Sequence, residues 1–447
     1  MEQPANIYQI CRSKLLLSIV GLSWLLLWSL HPGQSKSLYA ENQYQDTRPI
    51  VQEAWFRYNA SNKASSPQCK SLGGKLNDLI GKQDAAIIAD PQGRIIFSKN
   101  ADKNLIPASL LKILTALVAL HYLGPDFRFK TEFYLDQDSN LKVKGYGDPL
   151  LTSEIIAEIA KGLGERLIKI NDLVLDDSYF KQPIIIPGIS STAEPYDAPN
   201  GALCANFNTV CFKRTHNGSY VSAEPQTPLL SLALKRIKTS GLKEGRIVLS
   251  HQENDIILYT GHLLLCFMEK EGIQLSGRIR TGTVREEKDK LIFKYISRFS
   301  LKQVISNLLE YSNNFIANQL LMAAGAKAYG PPATLAKGVS ATLSYAKNIL
   351  KIENICIVEG SGISRANRMS AAHLYQILGK FEPYYLLMRK KDTEFYKTGT
   401  LSGIRTRAGY IKNGKKELYR FVVLINTPGK STERIMEKLR QAVTSKP

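Results

Sequence analysis

Pro107-Ala-Ser-Leu-Leu-Lys-Ile-Leu-Thr-Ala-Leu-Val-Ala-Leu-His-Tyr-Leu123 is apolar at most positions, yet it carries a serine and a lysine three residues apart, Ser109 and Lys112. The pattern predicts a helix beginning near Ser109, with Pro107 just ahead of its start and Gly124-Pro125 ending it. Positions i and i+3 share a helix face, so the Ser109 hydroxyl and the Lys112 amine point the same way. A helix apolar all round is a buried one, and a buried lysine must lose its charge or find partners. A neutral amine beside a serine hydroxyl takes its proton and makes it a nucleophile. Taken alone, the stretch fits a core helix with a capping serine and a snorkelling lysine better than it fits an active site. The rest of the chain reverses that order.

The chain has 447 residues, enough for two or three domains, and its 44% hydrophobic content is enough to fill real cores. Lys+Arg 59 against Asp+Glu 39 gives a net charge of +20, which favours polyanions or an anionic cell envelope. The charge is spread along the chain, with no nucleic-acid-binding motif and no aromatic-basic repeat, so nucleic acid is not an expected partner. Residues 1–40 read as an export signal, with Arg12 and Lys14 flanking the apolar run LLLSIVGLSWLLLWSL, which His31-Pro-Gly33 breaks. Leu38 is an imperfect residue ahead of a cleavage site at Ala40, so an uncleaved anchor is the alternative fate. The mature chain is expected outside the cytoplasm, free or tethered once. The cysteines form no CxxC, and the six histidines have no ligand spacing, so neither a metal nor a cofactor is expected. Cys204 and Cys211 are close enough in sequence to bridge across a turn.

Read in order, residues 85–89 and 94–98 form a hairpin around Asp90-Pro-Gln-Gly93, and the apolar helix follows. From about 130 to 290 short β-type runs (130–135, 173–175, 245–250) alternate with turn clusters and two helical stretches near 153–163 and 228–239. This is read as an inserted, mostly-β accessory module. Helical periodicity returns at 301–326, 333–352 and 371–378. The chain closes with a hairpin, 406–412 and 418–425 around Asn413-Gly414, and a last helix over 431–443. The expected organisation is one domain made of 41–133 and 290–447, interrupted by the module. Its fold class is α/β (α+β), a sheet built from both chain ends with helices packed on it.

Two further motifs stand in the second half: Ser312-Asn313-Asn314, between two helical runs, and Lys397-Thr398-Gly399-Thr400, just before the final hairpin. Each alone is an ordinary cap or turn. In the order S-x-x-K, S-x-N, K-T-G they match the active-serine pattern of penicillin-binding proteins and β-lactamases.

The sequence resembles the D-alanyl-D-alanine carboxypeptidase/endopeptidase family, the class C low-molecular-mass penicillin-binding proteins. Beyond the three motifs, Leu123-Gly-Pro-Asp-Phe-Arg-Phe129, Gly147-Asp-Pro149, Asp176-Asp-Ser-Tyr-Phe180, Asn206-Phe-Asn208, Gly360-Ser-Gly-Ile-Ser-Arg365 and Arg407-Ala-Gly-Tyr410 are similar to family landmarks, so the resemblance covers roughly 75 to 430. The long interval between Ser109 and Ser312 is a family mark, since β-lactamases lack so large an insertion there. The resemblance implies a penicillin-binding-protein/serine β-lactamase-like transpeptidase domain. It also implies a serine-type D-Ala-D-Ala carboxypeptidase and endopeptidase acting on peptidoglycan stem peptides, with β-lactam antibiotics as inhibitors. By the same resemblance Ser109 is the nucleophile, Lys112 its general base, Ser312 the proton shuttle and Asn314 the holder of the substrate amide. Lys397 supplies positive charge, Thr398 and Gly399 line the carboxylate site, and the amides of Ser109 and Thr400 form the oxyanion hole. Arg365 matches a position that contacts the substrate side chain.

Two departures stand out. Relatives carry a Trp- and Asp-rich stretch where this chain reads Ile189-Ser-Ser-Thr-Ala-Glu-Pro195, so the acidic partner for a diamino-acid side chain is missing or replaced by Glu194. Glu359 stands where aspartate is common. The competing readings are a β-lactamase, for which no extra deacylating base is assignable, and a non-catalytic peptidoglycan-binding protein of the same fold.

Overall fold

β1 (Asp84–Ala89) and β2 (Ile95–Lys99) form the expected hairpin, and a 3₁₀ turn, Ala108–Leu110, leads into α1 (Leu111–Leu123). The insertion then runs through β3 (Lys130–Leu135), β4 (Leu141–Gly145), α2 (Ser153–Gly164), β5 (Lys169–Ile170), β6 (Leu173–Asp176), β7 (Thr209–Arg214), β8 (Tyr220–Ser222), α3 (Ser231–Ser240), β9 (Glu244–Val248), α4 (Glu253–Lys270), β10 (Gln274–Leu275), β11 (Ile279–Thr281) and β12 (Lys290–Ile296). The chain returns through α5 (Leu301–Tyr311), α6 (Asn314–Tyr329), α7 (Leu335–Asn348), α8 (Ala371–Phe381), β13 (Arg389–Lys391), β14 (Glu394–Leu401), β15 (Ile404–Lys412), β16 (Leu418–Ile425) and α9 (Glu433–Thr444). This computed structural model describes residues 74 and 76–444, so the expected export segment at 1–40 lies outside the described residues. Among the described residues, no helix is long and apolar enough to cross a membrane.

Both chain ends meet in one antiparallel sheet of order β13-β14-β15-β16-β1-β2. Successive side chains of a strand point to opposite faces. Ala85, Ile87, Val422 and Leu424 accordingly pack toward α1, α5 and α8, whereas Ala86, Ile88, Phe421, Val423 and Ile425 pack against Ile435, Met436 and Leu439 of α9. Burial on both faces explains why β1 and β16 read as continuous apolar runs. The result is three layers, helix on sheet on helix. α1 lies inside the larger helical layer, with every residue from Leu111 to Leu120 buried, Lys112 included.

The insertion differs from the mostly-β expectation. It holds a mixed five-stranded sheet, β11-β6-β4-β3-β12, and a three-stranded one, β8-β7-β9, but also α2, α3 and α4. α4 escapes a sequence reading because Ile256, Ile257, Tyr259 and Thr260 are β-type residues and Gly261 interrupts the pattern. Gly261 is needed there, since a Cβ would lie 2.5 Å from a Leu175 methyl. The sheet also overruns the expected limits of 134–289, because β3 and β12 pair with each other at Lys130↔Ile296 and onward. The run expected at 301–326 is broken at Ser312, whose φ of 55° is left-handed and ends α5. The bridge that the spacing of Cys204 and Cys211 would permit is not made: Cys204 is a buried free thiol, and its Sγ accepts from Asn208 Nδ2 at 3.1 Å. In the closing hairpin the left-handed turn residue is Lys416 rather than Gly414.

Buried amides fasten the insertion to α6. Asn200 Nδ2 donates to the Phe315 carbonyl (3.0 Å) and to Gln319 Oε1 (3.1 Å). Gln319 Nε2 donates back to the carbonyls of Gly147 (3.2 Å) and Gly201 (3.0 Å). Asn314 opens the same helix, so these bonds fix one side of the site.

Candidate active site

Ser109 sits in the 3₁₀ turn ahead of α1, and Lys112 is in the first turn of the helix itself. The turn is strained: Ala108 has φ of 49°, an αL conformation that costs a non-glycine residue about 1–2 kcal/mol. The surrounding structure enforces it. Thr406 Oγ1 on β15 donates to the Pro107 carbonyl at 2.9 Å. Two glycines press against the turn. A Cβ on Gly399 would lie 2.8 Å from the Ser109 nitrogen, and one on Gly362 would lie 1.9 Å from the Ala108 carbonyl oxygen. The K-T-G segment expected before the hairpin is thus part of strand β14, lying along the turn that carries Ser109.

Lys112 Nζ donates to Ser109 Oγ (3.0 Å), Asn314 Oδ1 (2.8 Å) and the Ser361 carbonyl (2.6 Å), and the side chain is wholly buried. Burial pushes its ammonium down to about 7, with the nearby Glu359 carboxylate pulling the other way. At neutral pH a large fraction of the amine is therefore free to accept a proton. Lys397 Nζ donates to Ser312 Oγ (2.7 Å) and to its neighbour's carbonyl at Thr398 (2.7 Å). Burial lowers its affinity for a proton well below the lysine norm. Lys112 and Arg389 act in the same direction, and Glu310 opposes them. An anion arriving at this site would favour the charged form of Lys397, which suits a terminal carboxylate.

The structure brings together all five residues expected to catalyse: Ser109, Lys112, Ser312, Asn314 and Lys397. The left-handed break at Ser312 turns its hydroxyl toward Lys397. Asn313 caps α6, its side chain accepting from the Ile316 amide at 3.0 Å, and so sets the start of the helix at Asn314. Asn314 Nδ2 donates to the Tyr196 carbonyl of the insertion at 3.2 Å, which orients its Oδ1 toward Lys112. Along β14, Lys397 and Gly399 are buried whereas Thr398 and Thr400 are exposed, as strand alternation requires. Exposed Arg365 reaches across to the carbonyl of Ser402, in the turn after β14. Of the two acids near the departing stretch, Asp197 is buried and accepts from the Ser190 amide and Thr192 Oγ1, whereas Glu194 is exposed.

Sequence reasoning missed the residues that act through backbone carbonyls or as props: Ser361, Tyr196 and Thr406. A carbonyl acceptor leaves no mark on side-chain identity, and Thr406 reads as an ordinary strand residue.

A family model described as D-Ala-D-Ala carboxypeptidase 3 (S13) matches residues 72–244 and 242–383. The chain is 24% identical over 421 residues to the D-alanyl-D-alanine carboxypeptidase DacB of Haemophilus influenzae, covering 78% of this chain and 86% of that one. It is 22% identical over 416 residues to a D-alanyl-D-alanine carboxypeptidase of an Actinomadura species, covering 76% and 77%. The crystal structure of penicillin-binding protein 4 from Haemophilus influenzae superposes with a TM-score of 0.66 at 20% identity, over 84% of this chain and 98% of that one. The same protein complexed with a β-lactam gives a TM-score of 0.62.

Proposed function

The chain belongs to the D-Ala-D-Ala carboxypeptidase 3 (S13) family, and we propose that Ser109, Lys112, Ser312, Asn314 and Lys397 are the machinery with which it cleaves D-alanyl-D-alanine peptide bonds in peptidoglycan stems. The observation that carries this assignment is the wholly buried Lys112 amine 3.0 Å from Ser109 Oγ, held in a form that accepts a proton near neutral pH.

In the proposed sequence, the stem's C-terminal carboxylate docks on Thr398 beside Lys397. Lys112 takes the proton of Ser109 Oγ as that oxygen attacks the carbonyl carbon of the penultimate D-alanine. Amide N–H groups of Ser109 and Thr400 stabilise the oxyanion, donors of a kind worth about 10²–10³ in rate. The intermediate collapses with cleavage of the C–N bond, and the Ser312 hydroxyl passes a proton to the leaving amine, replenished from the lysine pair. Water then hydrolyses the Ser109 ester. The same steps cleave a cross-link when the leaving amine belongs to a second stem. A β-lactam enters the first half of the cycle and remains on Ser109. Glu359, the carboxylate that acts on Lys112, already accepts from three backbone amides and two side chains of its own loop, so it is not free to activate a deacylating water. That favours a long-lived penicilloyl adduct over β-lactamase turnover. Export of the chain, through the signal read at 1–40, belongs to the same proposal.

The test is labelling with a fluorescent penicillin, wild type beside Ser109→Ala, with the modified peptide located by mass spectrometry. Label on Ser109, absent from the variant, is the expected result. A folded wild type that takes no label, or rapid turnover of a chromogenic cephalosporin, would overturn the reading.

A further inference from the structure

We propose that Glu359 is a positioning residue of the acylation step: its caged carboxylate shapes the 360–364 loop so that the Ser361 carbonyl holds Lys112 against Ser109, and it supplies the counter-charge to that lysine. The proposal rests on the acyl-enzyme reading above, and its test separates the two.

Glu359 is fully buried. Its Oε2 accepts from the Ser361 amide and the Ser361 hydroxyl, both at 2.6 Å. Its Oε1 accepts from the Gly362 amide (2.6 Å), Asn367 Nδ2 (2.7 Å) and, more weakly, the Ser364 amide (3.4 Å). A carboxylate accepting bonds on both oxygens from one short loop fixes the orientation of the peptides between the donors. Two of those peptides face the reacting groups. The Ser361 carbonyl takes the shortest of the Lys112 hydrogen bonds, 2.6 Å, and Gly362 abuts the Ala108 carbonyl behind the nucleophile. The loop is pinned from outside as well, by Thr115 Oγ1 on the Gly360 carbonyl (2.6 Å) and by Asn318 Oδ1 on the Gly360 amide (2.8 Å). A shift in the carboxylate is therefore passed to Ser361 and Gly362 rather than relaxed away.

Charge supplies the second link. The charged groups bearing on Lys112 among the described residues are Glu359, from the loop, and Lys397, from β14; Ser109 and Asn314 are neutral. Glu359 favours the ammonium, against burial. Without it the amine would shed its proton at lower pH and become a weaker base, less able to take the Ser109 proton.

Glu359→Gln separates these functions from simple packing. Glutamine keeps the volume but offers one oxygen, so its amide N–H₂ faces loop donors that then lack an acceptor. The readout is the rate constant for acylation by penicillin between pH 5 and 9. The acid limb should move to lower pH by about 1 unit, and the plateau should fall by about tenfold or more. Glu359→Asp keeps the charge but withdraws it by one methylene, so its limb should return toward wild type while the plateau stays reduced. A limb that does not move in Glu359→Gln would make the residue merely structural and overturn the proposal. So would a plateau within about threefold of wild type in both variants. Should Glu359→Gln fail to fold, Glu359→Asp decides alone, and an unreduced plateau there refutes the positioning role. A wild type that takes no label at any pH refutes the acyl-enzyme reading instead.

Discussion

Gly362→Ala should disable the nucleophile without touching a reacting atom. The Cβ it adds would lie 1.9 Å from the Ala108 carbonyl oxygen, 2.5 Å from its carbon and 3.1 Å from the Ser109 nitrogen, at a backbone φ of +82°. All three are backbone atoms, so no flexible side chain can swing aside. Restoring an ordinary contact of 3.4 Å requires the turn carrying Ser109 and the loop carrying Ser361 to part by about 1.5 Å. The left-handed φ adds about 1–2 kcal/mol of strain for a residue with a side chain. A displacement of about 1 Å in a reacting group can cost about 10²-fold, and here nucleophile and base are pushed apart together. Acylation by a fluorescent penicillin, followed by quenched-flow sampling and gel imaging, should slow by at least about 100-fold. The thermal midpoint should fall by only a few degrees, since the clash is local. Gly414→Ala is the matched control, because its Cβ meets nothing within 4 Å, and it should label at the wild-type rate. A Gly362→Ala protein labelled within about threefold of wild type would refute the claim that this contact sets the nucleophile's position.

Three further outcomes follow from the same geometry. The wild-type acylation rate should rise with pH through about 7, because the depressed Lys112 must lose its proton to act as base. At pH 5 the rate should be about 100-fold below its plateau, and a flat profile from pH 5 to 8 would count against Lys112 as the base. Arg407→Ala removes a buried partner of Glu394, leaving that carboxylate to Arg440 alone; urea unfolding should show a loss of about 3 kcal/mol, and a loss below about 1 would show the pair to be dispensable. Gln319→Leu strips the Gly147 and Gly201 carbonyls of their shared donor and should cost about 2–4 kcal/mol while slowing acylation through a loosened Asn314, an effect that unchanged penicillin kinetics would exclude.

Legibility in the sequence followed the reach of the interactions. The β1–β2 and β15–β16 hairpins and the helices near 153–164, 231–240 and 371–381 were readable because their patterns are local. The side chains proposed to react could be picked out, and found clustered, because serine, lysine and asparagine stand out by type and by spacing along the chain. What stayed hidden is set by contacts distant in sequence. β14 reads as a turn because Thr398-Gly399 is short and polar, and its pairing with β15 through Lys397–Leu401 makes this segment a strand. α4 looks strand-like until Leu263, Leu264 and Phe267 are seen buried in the insertion's core. Glu359 reads as a small change beside a glycine motif, because nothing local reveals the donors that converge on it.

The way the insertion meets the site separates two properties of the enzyme. Every side chain assigned to acylation comes from outside the insertion: Ser109 and Lys112 at the head of α1, Ser312 and Asn314 at the α5–α6 junction, and Lys397 on β14. The insertion touches this group mainly through backbone. The Tyr196 carbonyl orients Asn314, and Gly188 lies so close to Ser364 that a Cβ there would come within 2.8 Å of its Cα. Those contacts need a path for the chain, which buried Asp197 secures by accepting from Ser190 and Thr192. Among the side chains at 189–195, the one they rest on is the Thr192 hydroxyl. The stretch Ile189-Ser-Ser-Thr-Ala-Glu194 can therefore depart from a Trp- and Asp-rich sequence without disturbing the reacting groups. Any penalty should appear in the choice of stem peptide, where exposed Glu194 and Arg365 are the charges left to meet the substrate. A small acyl donor such as penicillin should be blind to Glu194→Gln, whereas a stem peptide whose side chain ends in an ammonium should lose kcat/KM by several-fold. Equal losses on both substrates would place Glu194 in the acylation machinery and remove this separation.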